Sequence, residues 1–130
     1  MVTNKISLEE VLDKLEEWIS TLPYLHSRNF TFVTCGDWDL ATCLKKECKV
    51  KNLMQPEYLK NYINIKKAFL NCVPEYDRSM GMMGMLKALN IEHEGRHHSG
   101  IDDVRNICSI CIGLTKKGLK FNRSLISYVK

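Results

Sequence analysis

Apolar residues recur at helical spacing across residues 1–22. Leu8, Val11, Leu12, Leu15, Trp18, Ile19 and Leu22 fall on one stripe with charged residues between them. Ser7-Leu8-Glu9-Glu10 reads as a capping box, and Ile6 and Val11 stand at the flanking staple positions. Pro23 bars continuation because it has no amide hydrogen to donate. The pattern predicts an amphipathic scaffold helix over 1–22, with Trp18 and the other stripe residues in the core.

The period then changes. Residues 23–29 are polar, and His26 reads as a surface residue. Phe30-Thr31-Phe32-Val33-Thr34-Cys35 is short, aromatic and β-branched, and it ends at Gly36, which predicts a buried strand. Gly36-Asp37-Trp38-Asp39-Leu40 follows, so two aspartates fall at the carboxyl end of a strand, where open sheets place their ligands. A helix is expected to start there, with Asp37 as a candidate N-cap and Leu40, Cys43 and Leu44 facing inward. The Lys-rich stretch to Gln55 reads as loop, and Pro56–Leu59 as a helical turn. Tyr62-Ile63-Asn64-Ile65-Lys66 alternates and predicts a second short strand. Ala68–Val73 reads as a helix or extended turn stopped by Pro74, and Met80–Leu89 as a short buried helix. The last helix is expected from about Ile101 to Lys116, with Gly118 as its stop and Leu119–Lys130 a basic tail with a candidate edge strand. Strands alternating with helices indicate an α/β domain. Two strands are few, since sheets usually have about four to six.

Composition narrows the class. The 130 residues suit one domain, and 45% hydrophobic with 26% charged content is ordinary for a globular protein. No apolar run approaches the roughly 20 residues of a membrane helix, and no signal-peptide pattern opens the chain, so no membrane partner and a cytoplasmic or nuclear location are expected. The net charge of +4 is uneven. Lys45, Lys46, Lys49, Lys51, Lys60, Lys66 and Lys67 cluster, and after Asp103 no acid occurs. Such a surface suits a polyanion such as nucleic acid, or is simply a solvated face. Cys43, Cys48 and the Cys108-x-x-Cys111 pair would allow a zinc set. Cys108 and Cys111 share a helical face with Val104, Ile107 and Leu114, however, so core thiols are expected.

Gly95–Ile110 concentrates the chemistry. His97 and His98 lie in a Gly-bounded loop, and Asp102 and Asp103 open the helix after it. A group titrating near neutral pH thus stands beside two carboxylates. The plain alternative is a polar loop with aspartates complementing the helix dipole. Phosphodiester hydrolysis is served by two divalent ions about 3.5–4 Å apart, held by carboxylates, with a histidine to take the proton from the attacking water. Oxygen-rich sites suit Mg2+ or Mn2+.

The arrangement resembles the DEDDh superfamily of 3′–5′ exonucleases, and within it the subgroup of exoribonucleases that trims histone mRNA ends, ribosomal RNA and small RNAs. The stretches that carry the likeness are Ser7–Trp18, Phe32–Leu40, Tyr62–Lys67 and Gly95–Asp103 with Asn106-Ile107. The resemblance implies an RNase H-like α/β exonuclease domain and a metal-dependent 3′–5′ exoribonuclease acting on RNA. It implies Asp39 as the second-motif metal carboxylate, Asp103 as the third-motif metal carboxylate and His98 as the general base. Lys66, Lys67 and Arg96 become candidate contacts to the RNA backbone.

This chain departs from the subgroup at two points. His97 stands where the subgroup usually has proline. The family's Asp-x-Glu, which supplies two further metal carboxylates on its first strand, occurs nowhere in these residues. Residues 1–130 are therefore expected to form a partial exonuclease domain, carrying motifs two and three and missing its first strands. Three explanations stand open: a truncated chain, a protein or second chain that completes the sheet by association, or a degenerate nuclease fold acting as a non-catalytic RNA- or protein-binding module.

Overall fold

The first helix starts where its capping box predicts. In the computed structural model, which describes residues 6–25, 29–96 and 99–130, α1 spans Leu8–Ser20. The Ser7 hydroxyl accepts from the Glu10 amide at 3.2 Å and donates to the Glu10 carboxylate at 3.2 Å. Ile19 is fully buried with Leu12 and Leu15 against Tyr58 and Leu59. Trp18 corrects the expectation: it is 54% exposed, and Ile6 and Val11 also face outward. The apolar stripe is wider than the surface it meets, so Leu8, Leu12, Leu15, Ile19 and Leu22 are at least half-buried while Val11 and Trp18 stay exposed.

Three strands form one sheet in the order β1-β2-β3 among the described residues. β1 (Phe32–Thr34) runs parallel to β2 (Asn61–Asn64), with Phe32 opposite Tyr62 and Thr34 opposite Asn64. β3 (Ile126–Tyr128) pairs antiparallel with β2, which bears out the edge strand expected in the tail. β1 is half-buried rather than buried, because it lies at the sheet edge with one flank unpaired among the described residues. Its side chains alternate between faces, Phe32 joining the α1 side and Val33 the opposite core.

Beyond β1 the chain forms a π-helical segment, Trp38–Leu44, that continues into α2 (Lys45–Val50). The Lys-rich stretch expected to be loop is therefore partly helical. Lysine and glutamate are good helix formers, and Lys51 pairs with Glu47 one turn back at 3.1 Å. Cys43 is exposed, while Leu40 and Leu44 pack inward as expected. β2 stops at Asn64, short of the predicted Lys66, because the Asn64 side chain accepts from the Lys66 amide at 3.0 Å and caps α3 (Ile65–Cys72).

The main core joins α3, α4 (Gly81–Ala88) and α5 (Gly100–Lys116) through Ile65, Phe69, Met85, Leu86, Ile110 and Leu114. Met80 and Met83 remain exposed. α5 turns Asn106, Ile110 and Leu114 inward at helical spacing, so Ile101, Val104, Cys108 and Ile112 point out. Cys108 is thus not the core thiol expected, and Cys111 is half-buried. Next to this outward row, an apolar groove of about 810 Å³ opens between α5 and the sheet, lined by Val33, Ile63, Ile126, Cys111, Ile112 and Phe121 among others. Among the described residues no helix is long and apolar enough to cross a membrane.

Candidate active site

Both parallel strands end on the same side of the sheet, and Asp37 and Asp39 follow directly on β1 there. Gly36, at φ +112°, lets the chain leave β1 in a conformation that residues with a side chain rarely adopt. The turn is held from several directions. The Thr34 hydroxyl donates to the Gly36 carbonyl at 2.7 Å, and the Gly36 amide donates to Asn64 Oδ1 at 3.1 Å. Asp37 Oδ1 accepts from the Tyr62 hydroxyl at 2.8 Å and from Asn64 Nδ2 at 3.2 Å. The expected capping role of Asp37 is therefore corrected. It stands at the N-cap position, but its side chain makes no capping bond and turns back to β2 instead.

Asp39 lies in the first turn of the π-helical segment, exposed, with Trp38 beside it at 62% exposure. Interrupted α-helical hydrogen bonding of this kind recurs at functional sites. Among the described residues no hydrogen bond to the Asp39 carboxylate occurs.

The opposite wall is the start of α5. Gly95 adopts φ +71°, and a Cβ there would meet the Asp102 carboxylate at 2.2 Å. That contact is possible because Asp102 Oδ2 accepts from the Arg96 amide at 2.9 Å, and Asp102 also pairs with Arg105 at 3.7 Å. The expectation that Asp102 only opens the helix is corrected, since it ties the preceding loop to α5. Buried Asn106 anchors the same loop, accepting from the Glu94 amide at 2.9 Å and donating to the Glu94 carbonyl at 3.0 Å. Asp103 Oδ1 is buried with no hydrogen-bond partner among the described residues. His97 and His98 lie outside the described residues.

Cys35 links the two walls. Burial pushes its thiol up, the Lys66 ammonium pulls it down, and the carboxylates of Asp39 and Asp103 push it up again. Both candidate metal carboxylates and Lys66 therefore lie around the carboxyl end of β1. Lys67, next on α3, acts electrostatically on Asp37. The Asp37 carboxyl is held below its usual range despite burial, because the Tyr62 and Asn64 donors favour its charged form. Arg96 is exposed on the loop before α5.

A divalent cation fits the chemistry of this corner, because an exposed carboxylate and a buried carboxylate oxygen with no hydrogen-bond partner among the described residues both act on Cys35. The fit is partial. No group of three or more His, Cys, Asp or Glu side chains in metal-holding geometry occurs among the described residues.

Sequence reasoning missed Tyr62, Asn64 and Asp102 as parts of the scaffold under the site. Only Asn64 carried a signal, as a strand-end residue that caps well. Tyr62 offers a direct check. Burial and the bond to Asp37 push its phenol up to about 12, from 10.0. A group whose folded pKa is raised stabilises the fold below its unfolded value and loses that contribution as pH rises through the folded value. Ultraviolet titration is expected to show a late-ionising tyrosine absent from Tyr62→Phe. The parent should lose stability relative to that variant between pH 10 and about 12.

Residues 1–111 match the exonuclease (RNase_T) family. The chain is 38% identical over 128 residues to ERI1 exoribonuclease 3 of Homo sapiens, covering 95% of this chain and 37% of that protein. It is 29% identical over 119 residues to 3'-5' exoribonuclease 1 of Mus musculus, covering 90% and 34%. Among solved structures it is similar to the nuclease domain of 3'hExo, a DEDDh family member bound to rAMP. That match has TM-score 0.77 and 26% identity, over 95% of this chain and 60% of that one. A 3'-exonuclease in a structure of 3'-end specific recognition of histone mRNA stem-loop is similar at TM-score 0.73 and 25% identity, covering 93% and 56%. The chain thus spans little more than a third of the length of these curated relatives.

Proposed function

The chain belongs to the exonuclease (RNase_T) family, and from that premise we propose that residues 1–130 are the part of a metal-dependent 3′–5′ exoribonuclease domain that carries motifs two and three. The observation that carries the proposal is the gathering of Asp39, Asp103 and Lys66 around Cys35 at the carboxyl end of β1. The family is generally divalent-metal dependent, and Mg2+ or Mn2+ in a two-ion site is the proposed cofactor.

Each residue then has a task. Asp39 and Asp103 would hold the cation, which when bound supplies Lewis-acid polarisation of the phosphate oxygens. His98, two residues ahead of α5 in the sequence, would take the proton of the attacking water. Lys66, Lys67 and Arg96 would bind the RNA backbone, and exposed Trp38 presents a face on which a base can stack. RNA as substrate is supported by the relatives' names and by the stem-loop recognised by the solved 3'-exonuclease.

A protein segment or second chain that adds a strand to the free flank of β1 is the proposed partner. The open edge, the adjoining apolar groove and the outward Ile101–Ile112 row support it.

The test is incubation of the chain with 5′-labelled single-stranded RNA carrying a free 3′ tail, with Mg2+ or Mn2+. Stepwise shortening from the 3′ end, stopped by EDTA, would support catalysis by this chain. Retained RNA binding without shortening would sink catalysis by this chain alone. It would favour instead a non-catalytic RNA- or protein-binding module, a reading that also accommodates the lack of an Asp-x-Glu in these residues.

A further inference from the structure

The two aspartates of Gly36-Asp37-Trp38-Asp39 differ in one respect that geometry decides. Asp37 Oδ1 already accepts two donors, Tyr62 Oη at 2.8 Å and Asn64 Nδ2 at 3.2 Å. Two donors fill the acceptor capacity of one carboxylate oxygen. The carboxylate of Asp39 accepts no hydrogen bond among the described residues, and it lies near Cys35 together with Asp103.

Asn64 is engaged on both sides of its amide. Its nitrogen donates to Asp37, while its oxygen accepts from the backbone amides of Gly36 at 3.1 Å and Lys66 at 3.0 Å. One side chain at the end of β2 therefore holds the turn after β1 and the start of α3 at once. The Asp37 carbonyl in turn accepts from the Ala41 amide at 3.1 Å, so the first turn that carries Asp39 is built directly on Asp37. Displacing the Asp37 side chain from β2 would carry the Asp39 turn with it.

We propose that Tyr62, Asn64 and Asp37 form a positioning network that fixes the Asp39 turn on the end of β2, and that Asp37 is a positioning residue rather than a metal-holding one. The inference rests on the reading of Asp39 as a cation-holding carboxylate. Its mechanical half, the fixing of the turn, stands apart from that reading.

The test compares Tyr62→Phe, Asp37→Asn and Asp37→Ala in the full chain, by amide hydrogen exchange over residues 36–41 and by Mn2+ affinity from electron paramagnetic resonance. Tyr62→Phe keeps the ring and deletes the donor. Asp37→Asn keeps an oxygen to accept from Tyr62 and Asn64 and deletes the charge. Tyr62→Phe is expected to speed exchange in 36–41 about tenfold or more, with α5 unchanged, and to weaken Mn2+ binding. Asp37→Asn should stay within about threefold of the parent in both readouts. Should Tyr62→Phe fail to fold, Asp37→Ala against Asp37→Asn carries the same comparison.

Parent-like exchange and Mn2+ affinity in Tyr62→Phe would overturn the network. Loss of Mn2+ binding in Asp37→Asn equal to that in Asp37→Ala, with exchange unchanged, would make Asp37 a ligand and overturn the assignment. A parent chain that holds no Mn2+ counts against the cation-holding reading of Asp39, while the exchange comparison still decides the positioning role.

Discussion

Asp103→Ala is expected to lower RNA shortening at least about a hundredfold while leaving the metal-free fold as stable as the parent, or more stable. Residues that only support a metal ligand already cost about 10–100-fold when replaced, so loss of a ligand itself costs at least that. The stability half follows from burial. Asp103 Oδ1 lacks a hydrogen-bond partner among the described residues, and an unsatisfied buried polar atom costs about 1–3 kcal/mol. Alanine removes that cost and forfeits only the interaction of a carboxylate with the helix start, about 0.3–1 kcal/mol. Urea unfolding in EDTA should therefore give a change between roughly zero and 3 kcal/mol in favour of the variant. Mn2+ should raise the melting temperature of the parent and not of the variant. A variant that still shortens RNA, or that is clearly less stable without metal, would show that the carboxylate serves the fold.

The second large effect is expected at Asn106, in the opposite direction for stability. Asn106→Leu should lower unfolding stability by about 2–4 kcal/mol, because two backbone groups of Glu94 lose their partner together. Leucine keeps the branched outline and opens no cavity, so the loss reports the broken hydrogen bonds together with crowding by the bulkier methyl groups. The damage should spread to the loop ahead of α5, which carries Arg96 and leads to His98. Limited proteolysis is expected to cut first near residues 92–96. A change under about 1 kcal/mol would mean that water replaces Asn106 at no cost, and that the loop is held by Asp102 alone.

Local signals were legible wherever one segment settles its own conformation. The capping box at Ser7, the β-branched run before Gly36 and the glycine stop at Gly118 each act within a few residues, and each element stands near where its pattern put it. The misses share a cause. Trp18, Val104 and Cys108 sit on apolar stripes, yet a stripe says only that one face is apolar and not how much of it a neighbour covers. α2 arises because the helix expected after β1 runs on into the Lys-rich stretch, whose composition reads as loop. β2 ends at Asn64 because a side chain competes with the ladder for backbone amides, which alternation cannot register.

The site divides the same way. The sequence alone determined the residue types and their local setting: two aspartates after a strand, two at a helix start, and a histidine loop between glycines. The family resemblance selected Asp39 and Asp103 from those pairs, and the tertiary structure shows what physically distinguishes each from its neighbour. Asp37 and Asp102 are engaged by Tyr62, Asn64 and the Arg96 amide, while Asp39 and Asp103 Oδ1 accept no hydrogen bond among the described residues. A carboxylate is available to a cation or bound into the scaffold according to the donors that reach it. Those donors come from β2 and from the loop before α5, segments whose approach no local pattern encodes.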